Sequence, residues 1–357
     1  MSSNPVEEAR RQVEICNACR YCEGYCAVFP AITWKRAFSD GDITQFANLC
    51  HNCRGCYYAC QYTPPHEFAL NLPKALADVR QASWKDMVYP RGFALLFDRS
   101  GVAIAAGLIV AITLLFWLAS ALRPEDGNGF YAYMSHSLMV TIFAPAFILP
   151  LLAISVSIRR YWMHVGGGAV ITRDFGEALH SAGRLTNLAG GHGEGCNYED
   201  TDRYSNRRRA FHHATLIGFL LCFASTSIAT VMHYAFGMEA PYALVSLPKL
   251  FGVTGGLLLC VGTAGLAGLK MRADRQLGTP AIWGGEMAFT LLLFTVSGSG
   301  LVLYAATGTS AVPFLLAFHL GTVLTFFLIT PYSKMVHGFY RLAALTYHAA
   351  ADRTRRV

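Results

Sequence analysis

The distribution of apolar residues changes at about position 100. Beyond Gly101 the chain alternates long apolar runs with polar stretches, and six runs reach the roughly 20 residues that a membrane-spanning helix needs. They do not alternate apolar with polar positions, and lipid admits only helices or closed barrels. These runs cover 101–122, 136–158, 211–236, 244–269, 284–307 and 312–332. The pattern therefore predicts a membrane domain of six helices at 101–336.

The first hundred residues are more polar and predict a separate head. Apolar residues at helical spacing follow Ser39 and Asp40, which predicts a helix that begins at one of these two residues. The stretch EFALNLPKALADVR, which begins at Glu67, also has a helical pattern. The sequence therefore predicts an all-α protein with a helical head at 1–100, the membrane domain, and a tail at 337–357.

Basic residues predict the orientation in the membrane. The head and the segments 159–210, 270–283 and 333–357 together hold 27 of the 29 lysines and arginines. Because basic residues concentrate on the cytoplasmic side, we expect a multi-pass protein of a bacterial-type inner (plasma) membrane with its head and C-terminus in the cytoplasm. We interpret the formal charge of +7 as part of this orientation signal. It gives no reason to expect a nucleic-acid partner. No apolar stretch follows the polar N-terminus, so we expect no cleaved signal peptide.

Composition agrees with a membrane protein, since 54% of the residues are hydrophobic and only 14% are charged. Within the six runs only Lys249 and Glu286 carry a full charge. Both lie near the end of a run, so we expect their side chains to extend toward the membrane surface. The loop at 159–210 is long and rich in glycine, which leaves three interpretations: a phosphate site, a docking segment or a linker. No dinucleotide or P-loop pattern supports the first.

Eight of the eleven cysteines form two copies of one motif in the head. CNACRYCEGYC begins at Cys16 and CHNCRGCYYAC at Cys50, and both have the spacing C-x2-C-x2-C-x3-C. This spacing is typical of [4Fe–4S] sites, in which three cysteines on a tight loop bind one cluster and the fourth binds the other cluster. The rule assigns one cluster to Cys16, Cys19, Cys22 and Cys60. It assigns the second cluster to Cys50, Cys53, Cys56 and Cys26.

Two other interpretations of the cysteines are a zinc site and a disulfide framework. Structural zinc sites usually combine two C-x2-C pairs that are separated by a spacer, and disulfides belong to oxidising compartments. Three cysteines within seven residues, found twice, favour clusters. Cys222 and Cys260 lie in predicted spans as packing residues, and Cys196 lies alone in the glycine-rich loop.

Six histidines in or beside the predicted spans are candidate ligands of one or two b-type haems. A histidine within the bilayer is costly and is therefore a functional candidate, and imidazole is an ordinary axial ligand of haem. The six are His136, His212, His213, His233, His319 and His337. His319 and His337 are 18 residues apart, which equals five turns of 3.6 residues. The sequence thus predicts that both project from one face of one helix, about 27 Å apart.

The predicted depths of these histidines in the membrane indicate which of them would bind the same haem. His233 matches the depth of His319 and would form an outer haem site with it, while His136 competes for the same place. Either His212 or His213 would form an inner site with His337. Histidines at a membrane interface also bind lipid headgroups or helix-end carbonyls, and this second interpretation applies to His212, His213 and His337.

Together these features resemble the citrate/tricarballylate-utilisation protein B family. The resemblance covers nearly the whole chain, from the two cysteine motifs to the GGHGEGCNY loop that begins at Gly190. It implies that the protein accepts electrons from the reduced flavin of an FAD-dependent dehydrogenase similar to tricarballylate dehydrogenase. It also implies transfer through two [4Fe–4S] clusters and b-type haem to membrane quinone. The head resembles the helical two-cluster ferredoxin-like domains of fumarate reductases and heterodisulfide-reductase-like proteins.

The sequence shows no site of its own for an organic substrate. It lacks a dinucleotide fingerprint, a nucleophile motif and a convergent set of carboxylates, so we expect an electron relay whose partner flavoprotein handles the substrate. One alternative is the membrane subunit of another heterodisulfide- or succinate-type quinone reductase. The other is an iron–sulfur redox sensor, which would need an output domain that the short segment 333–357 does not provide.

Overall fold

The computed structural model describes residues 4–122, 132–190, 193–199, 202–238, 240, 242–243 and 245–356. Within these residues the chain is almost entirely helical, and its only β contact is an isolated bridge between Cys196 and Ser205. The predicted all-α class is therefore confirmed. Arg123, Gly191 and His192, which belong to the basic-residue count and the glycine-rich loop, lie outside the described residues.

The head consists of short helices that place the cysteine motifs between them. Within the described residues these are α1 (Pro5–Cys19), α2 (Val28–Thr33), α3 (Asp40–Leu49), α4 (Gly55–Tyr58) and α5 (Leu72–Met87). The predicted start of α3 is confirmed, because Ser39 and Asp42 cap it reciprocally through side chain and backbone. The second predicted helix begins only at Leu72. Its start is set by Asn71, whose side chain accepts from the Lys74 amide, so the prediction of a helix from Glu67 was wrong for five residues.

Six helices are long and apolar enough to cross a membrane, which agrees with the predicted number. Among the described residues the candidate spans are Ser100–Ala121, His136–His164, Arg207–Phe236, Leu247–Arg272, Pro280–Ala305 and Val312–Tyr332. They belong to α6 (Arg91–Leu122), α7 (His136–His164), α9 (Arg207–Phe236), α10 (Leu247–Arg272), α11 (Trp283–Ala305) and α12 (Val312–Ile329). The remaining helices are α8 (Thr172–Arg184), in the long loop, and α13 (Val336–Arg356), at the C-terminal end.

Glycines let α9 and α10 approach each other closely. A Cβ atom at Gly218 would lie 2.5 Å from the amide nitrogen of Leu259, and one at Gly262 would lie 2.5 Å from that of Thr215. Such contacts require a residue without a side chain, as in other packed membrane helices. The two helices therefore form a closely packed pair.

The head is joined to the rest of the molecule through α3. Every residue of this helix from Gly41 to Leu49 is buried, and Gln45 donates a hydrogen bond to the carbonyl of Ala344 in α13 (2.8 Å). The Tyr161 hydroxyl of α7 donates to the Gln45 side-chain oxygen. A Cβ atom at Gly41 would lie 2.5 Å from the His164 carbonyl oxygen, so this glycine allows α3 to meet the end of α7. The predicted tail is thus a helix that packs on the head.

The chain does not continue as one helix from His319 to His337. It passes from α12 into a 3-10 turn at Thr330–Tyr332, and Ser333 is extended (φ −102°, ψ 178°) before α13 begins. Pro331 explains the break, because its ring nitrogen cannot donate the next helical hydrogen bond. The prediction that the two histidines share a helix face five turns apart was therefore wrong.

Glu286 lies in a buried ion cluster and does not extend toward the membrane surface, so that prediction was wrong. The carboxylate contacts the ammonium groups of both Lys270 and Lys334, and its side chain is only 21% exposed. Lys334 also lies over the Trp84 ring of the head, 5.2 Å from its centre. Burial lowers the pKa of Lys334 to about 8, the main opposing effect being the Glu286 charge. Three segments of the chain therefore meet around one carboxylate.

Candidate functional site

The first cysteine motif begins on a helix. Cys16 and Cys19 belong to the last turn of α1, which ends because Arg20 adopts the left-handed conformation (φ 57°). The Arg20 amide donates to the Cys16 carbonyl at 2.9 Å, and Cys22 follows in a turn. The prediction of a tight loop was thus wrong for Cys16 and Cys19, whose positions are fixed by the helix.

The second motif begins where α3 ends. Cys50 is the C-terminal cap of α3, Cys53 lies in the connection, and Cys56 lies within α4. Asn52 and Arg54 both have positive φ angles, 50° and 67°. Such angles are uncommon outside glycine, and they turn the backbone sharply between the cysteines.

Five cysteines of the head line one open cavity of about 270 Å³. They are Cys16, Cys19, Cys22, Cys56 and Cys60. Phe29, Leu70 and Leu72 form apolar parts of its wall. The structure therefore brings Cys60, from the second motif, to the first three cysteines of the first motif.

Four cysteines line a second, narrower cavity of about 20 Å³ beside the first. They are Cys26, Cys50, Cys53 and Cys56, so Cys56 lines both cavities. The motif spacing assigns Cys56 to the same cluster as Cys50 and Cys53. Below, the first set means Cys16, Cys19, Cys22 and Cys60, and the second set means the other four.

The first set fits a group that is larger than a single ion, because its cysteines line a cavity with its own volume, as an iron–sulfur cluster requires. Within the described residues, no three Cys, His, Asp or Glu side chains form a site for one metal ion. At the second set the four-thiol composition fits a cluster, while the space between the thiols is tighter.

Burial keeps five of these thiols protonated in the absence of a cation. It raises the pKa of Cys16 and Cys22 to about 12 and that of Cys53 to about 11. It also raises the pKa of Cys26 and Cys56 well above the ordinary value. Since the thiolate is the metal ligand, a bound cation must displace these protons. Positive charge near the thiols would therefore favour metal binding.

Three arginines supply positive charge beside the second set, Arg80 buried and the other two half-buried. Arg341, on α13, donates a hydrogen bond to the Cys50 carbonyl at 2.6 Å, and Arg80, on α5, donates to the same oxygen at 2.9 Å. Arg208 donates to the Asn52 carbonyl at 2.7 Å. Burial lowers the pKa of Arg341 to about 9, so it remains a cation at neutral pH. The sequence interpretation missed these residues, although Arg341 follows His337 by one helical turn.

The glycine-rich loop packs over the second set. The Asn197 amide donates to the Cys53 carbonyl at 2.9 Å, and Arg54 donates to the Tyr198 carbonyl at 2.9 Å. A Cβ atom at Gly190 (φ 72°) would lie 1.8 Å from the Gly195 carbonyl oxygen, so the fold of the loop requires glycine there. The loop therefore contacts the chain's own head, and the three interpretations of its function stay predictions.

Two of the inner histidine candidates lie together. The rings of His212 and His337 have centres 6.0 Å apart and planes at 78°. Nδ1 of His337 donates to the Lys334 carbonyl at 2.5 Å, which leaves Nε2 for another partner. His213 instead contacts the Gly183 carbonyl through Nε2 at 3.1 Å. Of the two candidates left open, the structure brings His212 to His337.

The histidines proposed for the outer haem do not pair as the leading prediction had them, which joined His233 to His319. His136 of α7 and His233 of α9 stack on each other, with ring centres 4.0 Å apart. His319 of α12 contacts the Ser299 hydroxyl through Nδ1 at 3.0 Å. A Cβ atom at Gly300 would lie 3.0 Å from the His319 ring, so the imidazole is packed against α11. The geometry thus joins His136 to His233 and holds His319 by a different helix.

The inner histidine pair lies next to the second set of cysteines. His337 and Arg341 are four residues apart on α13, so both lie on one side of this helix. Arg341 reaches the Cys50 carbonyl, and His337 contacts His212. The buried His51, which follows Cys50, has its pKa held well below the ordinary value by burial and by the nearby Arg341. One helix therefore connects the cysteine site with the candidate haem site.

The chain is similar to known proteins over its whole length. The family described as "Citrate utilization protein B Fer4-like domain" matches residues 9–86, and the family described as "Citrate utilization protein B" matches residues 88–357. A curated relative, "Citrate utilization protein B" of Escherichia coli, is 42% identical over 348 residues, which are 96% of this chain and 92% of the relative. No solved structure matches the chain significantly. The border of the two matches falls between α5 and α6.

Proposed function

This chain belongs to the citrate utilization protein B family, and we propose that it is a membrane protein that transfers electrons from a reduced flavoprotein to quinone. The Fer4-like head is consistent with an iron–sulfur electron-transfer role. The observation that carries the proposal is the order of the sites: a cysteine set that includes the exposed Cys19, a cysteine set that includes the buried Cys53, and a histidine pair at the start of α9. This order supports a path from the head into the membrane domain.

The eight cysteines would hold two [4Fe–4S] clusters, the first set one and the second set the other. When bound, the clusters and the haem would supply one-electron carriers that accept and release electrons without a change in their ligands. The chain would contribute the thiolates, the dry surroundings and the amide donors. The Asn52 amide donates to the Cys50 sulfur and the Tyr62 amide to the Cys60 sulfur, both at 3.4 Å.

His212 and His337 would hold an inner b-type haem. The hydrogen bond from His337 Nδ1 to the Lys334 carbonyl fixes the ring and its tautomer, as the outer partners of metal-bound histidines do. His319, whose Nδ1 contacts the Ser299 hydroxyl, would be a separate candidate ligand of an outer haem. His213 would orient the loop through the Gly183 carbonyl.

The donor would be an FAD-dependent dehydrogenase, similar to tricarballylate dehydrogenase, that docks on the cytoplasmic head. The side of the head that carries the first set supports this position, because Cys19 is exposed and Tyr21 is 71% exposed. The acceptor would be membrane quinone. We place the head and the C-terminal helix on the cytoplasmic side of a bacterial inner membrane, on the basis of the 27 basic residues on that side.

The relay is tested by mixing the purified protein in lipid nanodiscs with its reduced flavoprotein and a soluble quinone. We expect wild-type protein to reoxidise the flavin, and Cys22→Ser and Cys56→Ser variants to slow the reaction at least about tenfold, since each removes one proposed ligand. Cys222→Ser, which changes a cysteine of α9 outside both sets, is the matched control and should keep the rate. Wild-type rates in both ligand variants would contradict the proposal.

A further inference from the structure

The two cysteine sets differ in the charge that surrounds them. Arg80 and Arg341 both donate to the Cys50 carbonyl, and Arg208 donates to that of Asn52. In the first set, the Cys16 and Cys22 carbonyls accept only neutral backbone amides within the described residues, and the Cys60 carbonyl also accepts the Thr63 hydroxyl. Backbone carbonyls at the second set therefore accept hydrogen bonds from cationic side chains, while those at the first set accept them from neutral groups.

Within the described residues, no carboxylate lies at ion-pair distance from Arg80, Arg208 or Arg341. Arg80 and Arg208 are charged neighbours of Arg341. Arg80 is only 6% exposed, so solvent screens its charge weakly.

Backbone amides do not distinguish the two sets, because the Asn52 amide donates to the Cys50 sulfur and the Tyr62 amide to the Cys60 sulfur, both at 3.4 Å. The difference therefore lies in the positive charge. Buried positive charge raises the reduction potential, because the reduced cluster carries one more negative charge.

We propose that Arg80 and Arg341 raise the reduction potential of the cluster held by the second set above that of the cluster held by the first set. The inference rests on the proposed function, because it needs both clusters. The arginines thereby favour the electron at the second set: the first cluster is oxidised by one electron, the second is reduced by the same electron, and no proton is required.

The position of the arginines determines in which direction this difference in reduction potential favours electron transfer. The first set lies at the exposed side of the head, where Cys19 and Tyr21 are open to solvent. The second set lies against α13, where His337 precedes Arg341 by one turn and contacts His212. Electrons would therefore be held at the side that faces the membrane domain, which opposes their return to the donor.

The test is an anaerobic redox titration of the full-length protein in nanodiscs, followed by electron paramagnetic resonance. Cys19→Ser and Cys53→Ser variants assign each signal to the first or the second set. We expect Arg341→Gln and Arg80→Gln each to lower only the potential of the second signal. We expect the equilibrium constant for electron transfer between the two clusters to change about tenfold. This corresponds to a shift of about 59 mV in the potential of the second signal. Arg341→Lys and Arg80→Lys keep the charge and should retain most of the separation.

Arg353→Gln is the matched control, because Arg353 lies on the same helix but pairs with Asp174, and it should leave both potentials unchanged. An unchanged separation in both glutamine variants, or an equal shift of both signals, would overturn the inference. Loss of iron from both glutamine variants but from neither lysine variant would assign the arginines a structural role and also overturn it. A wild-type protein without iron would instead contradict the proposed function itself.

Discussion

Arg341 and Cys50 are 291 residues apart in the chain, yet the Arg341 guanidinium donates to the Cys50 carbonyl at 2.6 Å. This bond joins the last helix to the cysteine site of the head. The same helix begins at Val336 and places His337 beside His212. The C-terminal helix is therefore a part of the candidate electron path and not a free tail.

Replacing Arg341 by alanine removes both a cationic donor and packing against the head. The Cys50 carbonyl would keep its bond from Arg80, so we expect the variant to fold but to be less stable by about 1–3 kcal/mol, the range for hydrogen bonds to charged groups. Detergent-induced unfolding followed by tryptophan fluorescence measures this. Arg355→Ala, near the end of the same helix, is the control, and equal stability of the two variants would contradict the prediction.

Replacing Glu286 by glutamine leaves Lys270 and Lys334 buried without a counter-charge. Breaking one side of a buried ion cluster costs about 3–5 kcal/mol, so we expect a loss of unfolding free energy of that size. Glu177→Gln removes an exposed pair with Arg173 and should change the stability by less than about 1 kcal/mol. Both variants are compared by the same unfolding assay, and similar losses would show that Glu286 is not a structural anchor.

The contact between α3 and α7 depends on Gly41. An alanine there would place Cβ 2.5 Å from the His164 carbonyl oxygen, so one helix has to move, at a cost of about 1–3 kcal/mol. A Cβ atom at Gly176, on α8, would meet nothing within 4 Å, and Gly176→Ala should be neutral or stabilising. Thermal unfolding of the two variants checks this difference. A Gly41→Ala protein as stable as Gly176→Ala would mean that the two helices do not meet as described.

Protonation of Asp174 should loosen α8 from α13. Its carboxylate accepts two hydrogen bonds from Arg353, and this pairing lowers the Asp174 pKa below its ordinary value. A lowered pKa means that the stabilisation is present above the ordinary pKa of about 3.9 and is lost as pH falls through the lowered value. Hydrogen–deuterium exchange of α8, corrected for intrinsic rates, should therefore accelerate only below about pH 4. Asp174→Asn should exchange rapidly at neutral pH as well, and unchanged exchange in this variant would contradict the pairing.

The inner haem proposal predicts a specific spectral loss. We expect His212→Ala and His337→Ala each to reduce the b-type α-band of the reduced-minus-oxidised spectrum by the contribution of one haem, since each removes an axial ligand. His180→Ala, on the exposed side of α8, is the control and should keep the full band. A full band in both ligand variants would exclude this pair, and a loss in His213→Ala alone would select the neighbouring residue.

The sequence predicts those parts of the fold that depend on local composition and residue spacing. Six apolar runs became six candidate spans, and Ser39 with Asp42 set the start of α3 as capping chemistry requires. It fails where a single residue interrupts a periodic pattern. Pro331 ends the helix between His319 and His337. At the first motif the error is the opposite one, because α1 continues through Cys16 and Cys19, where a loop was predicted.

Contacts between distant segments could not be read from the sequence. Spacing alone does not show that α13 returns to Cys50, or that the Asn197 amide reaches the Cys53 carbonyl. Glu286 was expected at the membrane surface because its two lysine partners lie in other segments of the chain. The arginines beside the second set are found only when tertiary structure brings them to the cysteines.

The most direct test of the account is the iron and acid-labile sulfide content of anaerobically purified full-length protein, together with electron paramagnetic resonance after reduction. Two [4Fe–4S] clusters predict about eight iron and about eight sulfide per chain beyond any haem iron, with two interacting signals. Cys60→Ser should perturb the signal of the first set and Cys26→Ser that of the second set. A protein with bound zinc and no acid-labile sulfide, or with a single cluster that survives both substitutions, would contradict the account.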